Sequence, residues 1–227
     1  LGRAPSVAAW RLWAEGFGAI GSTFADAGLG TAATRNYGGG AMVGIDTRIG
    51  GDVILGMALG GSHSGYSFAD RAAHGTAEGF HLAPYARLDA GPWSFASSLA
   101  WSSYADEARR TVTAGGVTED LRAGFRAQEW RLHAEVDRSF DFGASKLKPY
   151  VAIEAARFSH DAYTETLVNG ANSTLGLAMR AATSWSVPLF VGAEARHRFD
   201  LGDGRALTPM LGAAWVHEFS QIGRAHV

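Results

Sequence analysis

The sequence predicts an all-β chain folded as an antiparallel up-and-down transmembrane β-barrel, incomplete, with about nine strands present. Three observations carry this expectation. Apolar residues alternate with polar or small ones at period two through nearly every segment of about ten residues. The connections alternate short and long along the chain, and the charged parity keeps its charges in strand interiors rather than at strand ends.

The alternation is clearest from Gln128 to Asp137, where Trp130, Leu132, Ala134 and Val136 oppose Glu129, Arg131, His133, Glu135 and Asp137. Between Lys148 and Ala156, Pro149, Val151, Ile153 and Ala155 oppose Lys148, Tyr150, Ala152 and Glu154. From Val187 to Arg198, Leu189, Val191, Ala193 and Ala195 oppose Phe190, Gly192, Glu194, Arg196 and Arg198. Earlier, Val53, Leu55, Met57 and Leu59 oppose Gly56, Ala58, Gly60 and Ser62, and Phe80, Leu82, Pro84, Ala86 and Leu88 oppose His81, Tyr85 and Arg87. Strands are therefore expected near 9–21, 38–49, 52–64, 77–89, 93–104, 124–140, 146–159, 185–200 and 206–219.

Gly50-Gly51-Asp52, Asp89 to Pro92, Asp141 to Ser145 and Leu201 to Arg205 are short Gly- and Asp-rich turns. Between them, Ser22 to Tyr37, His63 to Thr76, Ala105 to Ala123 and His160 to Ser184 are longer polar segments, expected as loops. Short turns on one side and long loops on the other is the asymmetry of outer-membrane barrels. Periodicity by itself fits a soluble sandwich equally, with the apolar parity on a packed core and the charges in bulk water. In a barrel the same two parities face lipid and a wet lumen.

On the barrel reading Asp46, His81, Tyr85, Arg87, Glu129, Arg131, His133, Glu135, Asp137, Lys148, Tyr150, Glu154, Glu194, Arg196 and Arg198 line the lumen. Val53, Leu55, Met57, Leu59, Trp93, Phe95, Leu99, Trp101, Trp130, Leu132, Val136, Val151, Ile153, Leu189, Val191, Leu211 and Trp215 face lipid. Trp93 and Trp101 then suit the two membrane interfaces, although large aromatics also dominate soluble cores.

Composition narrows the alternatives. A length of 227 residues suits one domain, and a formal net charge of −2 with scattered Lys and Arg gives no field for nucleic acid. The absence of Cys removes disulfides, thiolate metal sites and Cys nucleophiles. No apolar run reaches the roughly 18 residues of a membrane helix, and a mean hydropathy near zero fits a barrel whose strands are half wet.

In order and spacing, several segments resemble the autotransporter β-domain family over nearly the whole chain. Trp10-Arg11-Leu12-Trp13-Ala14-Glu15-Gly16-Phe17-Gly18 looks like its first barrel strand, and Gly40 to Asp46 with Leu55 to Gly60 like its second and third. Leu147 to Val151, Gly192 to Phe199, and Leu207 to Met210 with Trp215 to Phe219 resemble later strands. The resemblance implies a barrel of about twelve strands with a helix through its lumen. It further implies an outer-membrane translocator that exports and anchors a covalently linked passenger and is inserted by the barrel assembly machinery, with membrane lipid as its surroundings. The runner-up is a non-secretory barrel, porin-like or adhesin-like; a soluble all-β ligand-binding or enzyme domain is weaker. Residues 1–220 are expected to be a partial β-domain lacking the linker helix and the final strands, its first and last strands left with open edges. Residues 221–227, QIGRAHV, resemble the in-frame translation of a sequencing adapter.

No chemistry is expected from the barrel itself. Glu129, Arg131, His133, Glu135, Asp137 and Glu154 suggest a carboxylate or metal site on paper, but a wet lumen keeps charges near their reference behaviour and lets them pair across strands. The His residues show no HExxH spacing, the Ser residues no GxSxG elbow, and Gly38 to Gly40 and Gly28-Leu29-Gly30 open no helix after a strand. Some members of the family cleave their own passenger with lumenal acids, an activity not assigned here to Glu129, Glu135 or Asp46. Catalytic residues, cofactors and metals are expected to be none.

Overall fold

Period-two patterning over so much of the chain leaves every strand one apolar side, and a strand satisfies its backbone only through neighbours. In the structure, a computed structural model that describes residues 10–25, 32–68 and 72–220, the strands meet that demand by pairing in sequence. They are β1 (Trp10–Thr23), β2 (Thr34–Ile49), β3 (Val53–Phe68), β4 (Ala73–Ala90), β5 (Trp93–Ala114), β6 (Val117–Arg138), β7 (Phe140–Phe142) and β8 (Ser145–His160). There follow β9 (Tyr163–Thr164), β10 (Thr166–Leu167), β11 (Ala178–Met179), β12 (Ala182–Ser186), β13 (Pro188–His197), β14 (Phe199–Gly202), β15 (Arg205–Leu207) and β16 (Met210–Glu218).

Nine of them form one antiparallel ladder in the order β1-β2-β3-β4-β5-β6-β8-β13-β16, with β7, β10 and β12 attached beside it. Two small ribbons, β9 with β11 and β14 with β15, stand apart. Among the described residues β1 and β16 are the two edges and do not pair with each other. No helix there is long and apolar enough to cross a membrane, which leaves crossing by strands open. The tail at 221–227, Gly28 to Gly30, and parts of the segments Ser22 to Tyr37 and His63 to Thr76 lie outside the described residues.

The polar segment Ala105 to Ala123, expected as a loop, is instead the upper half of a continuous hairpin. β5 and β6 stay in register from Trp93↔Arg138 to Ala114↔Val117. The turn is Gly115-Gly116, with φ of 58° and 80°, the backbone that a two-residue hairpin with native twist requires and that glycine adopts without strain. The β-branched run Thr111-Val112-Thr113 leads into it. Each strand has 22 residues, about twice the 9 to 11 that cross a bilayer. Half of the hairpin therefore stands beyond any apolar slab.

Prolines mark the breaks. The expected strand 185–200 divides at Pro188, which has no N–H to donate, although β12 and β13 hold one register against β8, as Ser186↔Ala156 and Leu189↔Ile153 show. β13 ends at His197, and Arg198 N still donates to Ala144 O (2.8 Å) in the same register. Pro209 separates β15 from β16 in the same way, dividing the expected strand 206–219. At Pro84 the pairing of β4 with β5 skips from Leu82↔Trp101 to Tyr85↔Ser98, while Met57↔Pro84 continues on the other side.

Aromatic rings lie directly on glycines of the neighbouring strand. Trp13 faces Gly44, Tyr85 faces Gly56, Tyr66 faces Gly75 and Tyr150 faces Gly192 in register. A Cβ at any of these glycines would overlap the ring, so the missing side chain is what lets each ring lie flat against the sheet. Gly75→Val in a complete barrel is expected to cost about 1 to 3 kcal/mol by overpacking, read as a lower urea midpoint. Tyr66→Ala in the same chain should restore part of the loss; a double variant less stable than Gly75→Val alone would refute the ring-on-glycine account.

Candidate functional site

The ladder register sorts the side chains onto two faces. One row across the sheet runs Arg11, Asp46, Gly56, Tyr85, Ser98, His133 and Glu154, each directly opposite the next. By the same register His81, Arg87, Glu129, Arg131, Glu135, Asp137, Lys148, Tyr150, Glu194 and Arg196 lie on this polar face. Arg198, just beyond β13, continues that register through its N–H bond to Ala144 O (2.8 Å), and its guanidinium is 3.9 Å from Asp200. Asp46, Ser94, Ser102, Asp137, Ala58, Ala152 and Ala156 are buried on the polar face, whereas Val43, Leu55, Met57, Leu99, Leu132, Val151 and Val191 are exposed on the other. Shielding of one side of a single sheet means that the sheet curves around it.

Most charges named on the polar face are paired, whereas Asp106, on the same face of β5 nearer the long loops, has a buried Oδ2 without a hydrogen-bond partner. Arg131 donates to Glu129 (2.9 Å) and Glu154 (2.7 Å), and His133 Nδ1 lies 3.3 Å from Glu154. Lys148 Nζ is 3.7 Å from Glu135 and 3.4 Å from Asp137; Arg87 is 3.8 Å from Asp137 and 2.8 Å from Asp89, which also faces Arg48 at 3.5 Å. A chain of ion pairs thus crosses the sheet from β2 to β8. Arg196 pairs with Glu194 further along. At the β1 end, Trp13 Nε1 donates to Tyr85 Oη (2.7 Å), Tyr85 Oη donates to Asp46 (2.7 Å), and Arg11 donates to Asp46 (2.8 Å). Among the described residues no group of three or more His, Asp or Glu side chains could hold a metal ion.

The apolar face holds Val53, Leu55, Met57, Leu59, Trp93, Phe95, Leu99, Trp101, Trp130, Leu132, Val136, Val151, Ile153, Leu189, Val191, Leu211 and Trp215. Its aromatics gather at two levels. Beside the short turns, Arg138 lies over Trp93 (5.3 Å) and Phe140 (4.8 Å). Eight residues along β5, Trp101 meets Phe80 (6.3 Å) and Trp130 (6.5 Å). That separation is about 26 Å along a strand, or roughly 20 Å in height at barrel tilt, near the ~25 Å apolar band of such proteins.

The segment His160 to Ser184 folds back onto the tall β5–β6 hairpin instead of standing open. β10 pairs with β6 at Leu121 and Arg122, Tyr163 stacks on Phe125 at 4.3 Å, and Arg110 Nε donates to Glu165 (2.7 Å). The Glu119 carboxylate accepts from the Ser173 hydroxyl, Thr174 Oγ1 (2.7 Å), Thr174 N (3.2 Å) and Leu175 N (3.0 Å). The Ser173 hydroxyl foremost holds Glu119 down at about 2, and the Arg110 guanidinium lowers Glu165. Sequence reasoning missed this dock, together with the inward Arg11 and Trp13. Gly115-Gly116 between β-branched residues was the available signal for the hairpin; nothing local marks Glu119.

A family model described as the autotransporter beta-domain matches residues 12–227. The chain is 26% identical over 220 residues to "Probable autotransporter YpjA" of Escherichia coli (strain K12), covering 95% of this chain but 13% of that protein. Its fold is similar to the translocator domain of autotransporter NalP from Neisseria meningitidis, with a TM-score of 0.75 at 18% identity over 97% of this chain and 72% of that one. It is likewise similar to the beta domain of the Bordetella autotransporter BrkA, with a TM-score of 0.72 at 18% identity over 93% and 79%.

The Glu119 dock gives a pH dependence of known sign. A carboxyl held at about 2 when docked and at 4.5 when free favours docking at every pH above 4.5, and that contribution disappears as pH falls towards 2. Limited proteolysis between Val168 and Leu177 is expected to stay slow from neutral pH to about 5 and to quicken below about 4, with Glu119→Gln cut quickly throughout. Equal rates for the two proteins at neutral pH would show that Glu119 does not hold the segment.

Proposed function

From the premise that this chain belongs to the autotransporter β-domain family, we propose that it is an outer-membrane translocator barrel, exporting and anchoring a covalently linked N-terminal passenger on the cell surface. The observation that carries the reading is the two-sided ladder itself: an apolar face bounded by two aromatic levels, and an opposite face most of whose charges are mutually paired. Hydrocarbon accepts backbone only where strands or helices satisfy it internally, and a closed sheet with these faces does so. The apolar face lies against lipid, and the polar face lines the lumen. There an extended or helical segment slides past side chains already neutralised by their neighbours, so no single charge holds it.

The barrel performs no catalysis in this scheme. Asp137 and Glu154 pair with Lys148 and Arg131 on the adjacent strand, Asp46 accepts from Arg11 and Tyr85, and Glu129 and Glu194 pair with arginines of their own strands, which suits a smooth pore lining. The same reading brings two further partners: outer-membrane lipid around the apolar band, and the assembly machinery that inserts such sheets without exposing their edges. The fold supports a non-secretory barrel equally; the family match is what favours export.

Two substitutions on neighbouring residues of β6 separate the faces. In the full-length protein Leu132→Arg is expected to cost roughly 2 to 4 kcal/mol, as arginine does on a lipid face near mid-membrane, while Arg131→Leu costs far less. The readout is the fraction of protein migrating as a heat-modifiable folded barrel; equal fractions would count against a membrane sheet. Cysteine labelling gives an independent check. Glu135→Cys is expected to react with a water-soluble maleimide and Val136→Cys only with a lipid-soluble one, and the opposite pattern would invert the assignment.

A further inference from the structure

Arg157 is a charge on the otherwise uncharged outward face of β8. Its cross-strand neighbours are Trp130 on β6 and Trp185 on β12, and the outward residues next to it towards the short turns are Ala155, Ile153 and Val151. It is exposed and has no ion-pair partner among the described residues. One tier nearer the long loops, Gln128 and Ser159 oppose each other, and one tier beyond stands Arg126, also exposed, without an ion-pair partner among the described residues and directly across from Asp161, whose N–H donates to its carbonyl (2.9 Å). Two guanidinium groups, an amide and a hydroxyl from two adjacent strands therefore share one outward patch, which begins with Arg157 in the Trp101–Trp130–Trp185 level and extends from there towards the long loops.

The acids nearest the patch lie outside ion-pair distance of it. Arg109 is matched by Glu107 at 2.6 Å. Glu78, across β5 from Arg126, and Asp161, at the end of β8, form no ion pair with either Arg126 or Arg157. At the other aromatic level the outward arginine is accommodated differently, since Arg138 lies over the rings of Trp93 and Phe140.

We propose that Arg126, Gln128, Arg157 and Ser159 form a binding site for the phosphorylated headgroup of a lipid in the long-loop-side leaflet. The proposal rests on the membrane-barrel reading above. An arginine at tryptophan depth sits where hydrocarbon gives way to headgroups, and its planar fork matches the paired oxygens of a phosphate. The chain as a whole is not basic, with a formal net charge of −2, so the patch is local. Lipid tails then lie along Ala155, Ile153 and Leu132 below it, and the phosphate between the two guanidinium groups above them.

The test uses the full-length protein inserted into phosphatidylcholine vesicles containing a bisphosphorylated glycolipid, or the same glycolipid with its phosphates removed. After gentle detergent extraction, the lipid retained per folded barrel is counted by native mass spectrometry. Wild type is expected to retain the phosphorylated form, and the double variant Arg126→Gln/Arg157→Gln about ten-fold less or lower, with its heat-modifiable folded fraction unchanged. Equal retention by variant and wild type, or equal retention of both glycolipids by wild type, overturns the site while leaving the barrel intact. Failure of wild type to insert into either vesicle overturns the barrel reading and the site with it.

Discussion

Everything in this molecule depends on the backbone of each strand finding its hydrogen bonds in the strand beside it. A single sheet has no second layer to bury its polar groups, so its order comes from ladder pairing between sequence neighbours. That constraint fixes the register, and the register fixes which residues share a face, because shifting one strand by one residue exchanges its two sides. The polar row from Arg11 to Glu154 and the apolar row through Trp101 and Trp130 are two readings of the same ladder.

Glycine and aromatic residues make the ladder workable on its concave side. Large rings pointing straight in would fill the space a pore needs, and small residues by themselves would leave the sheet loosely packed. Laying Trp13 on Gly44 and Tyr85 on Gly56 gives each ring contact without obstruction, and the hydroxyl at its end then reaches Asp46 two strands away. The ion pairs from Arg48 to Glu129 act similarly on charge: each side chain is held by a neighbour, and the surface they form is polar yet close to neutral. A surface that must let a chain pass gains from having few groups left to capture it.

The long-loop end obeys a different rule. Once β5 and β6 rise beyond the aromatic level, the outward parity becomes Glu107, Arg109 and Arg122. The segment following β8 packs there through Glu119, Glu165 and Tyr163, so the rim is a built surface rather than a set of free loops.

The sequence by itself determined the strands and their faces. Alternation at period two is local, so Trp130, Leu132 and Val136 were separable from Glu129, Arg131 and Glu135 without any partner strand in view, and Gly50-Gly51 and Gly91-Pro92 announced their turns. It misjudged Ala105 to Ala123 because polar residues read as loop when the surroundings are assumed to be lipid, although Thr111 to Thr113 and Gly115-Gly116 form a hairpin in water. What only the tertiary structure decided were the relations between distant segments: Trp13 against Tyr85, Glu119 against Ser173, and Arg157 between Trp130 and Trp185. Those contacts join residues on separate strands or on a loop that returns from afar. Their existence depends on register and curvature, which arise from all the strands together and are written in no single stretch of chain.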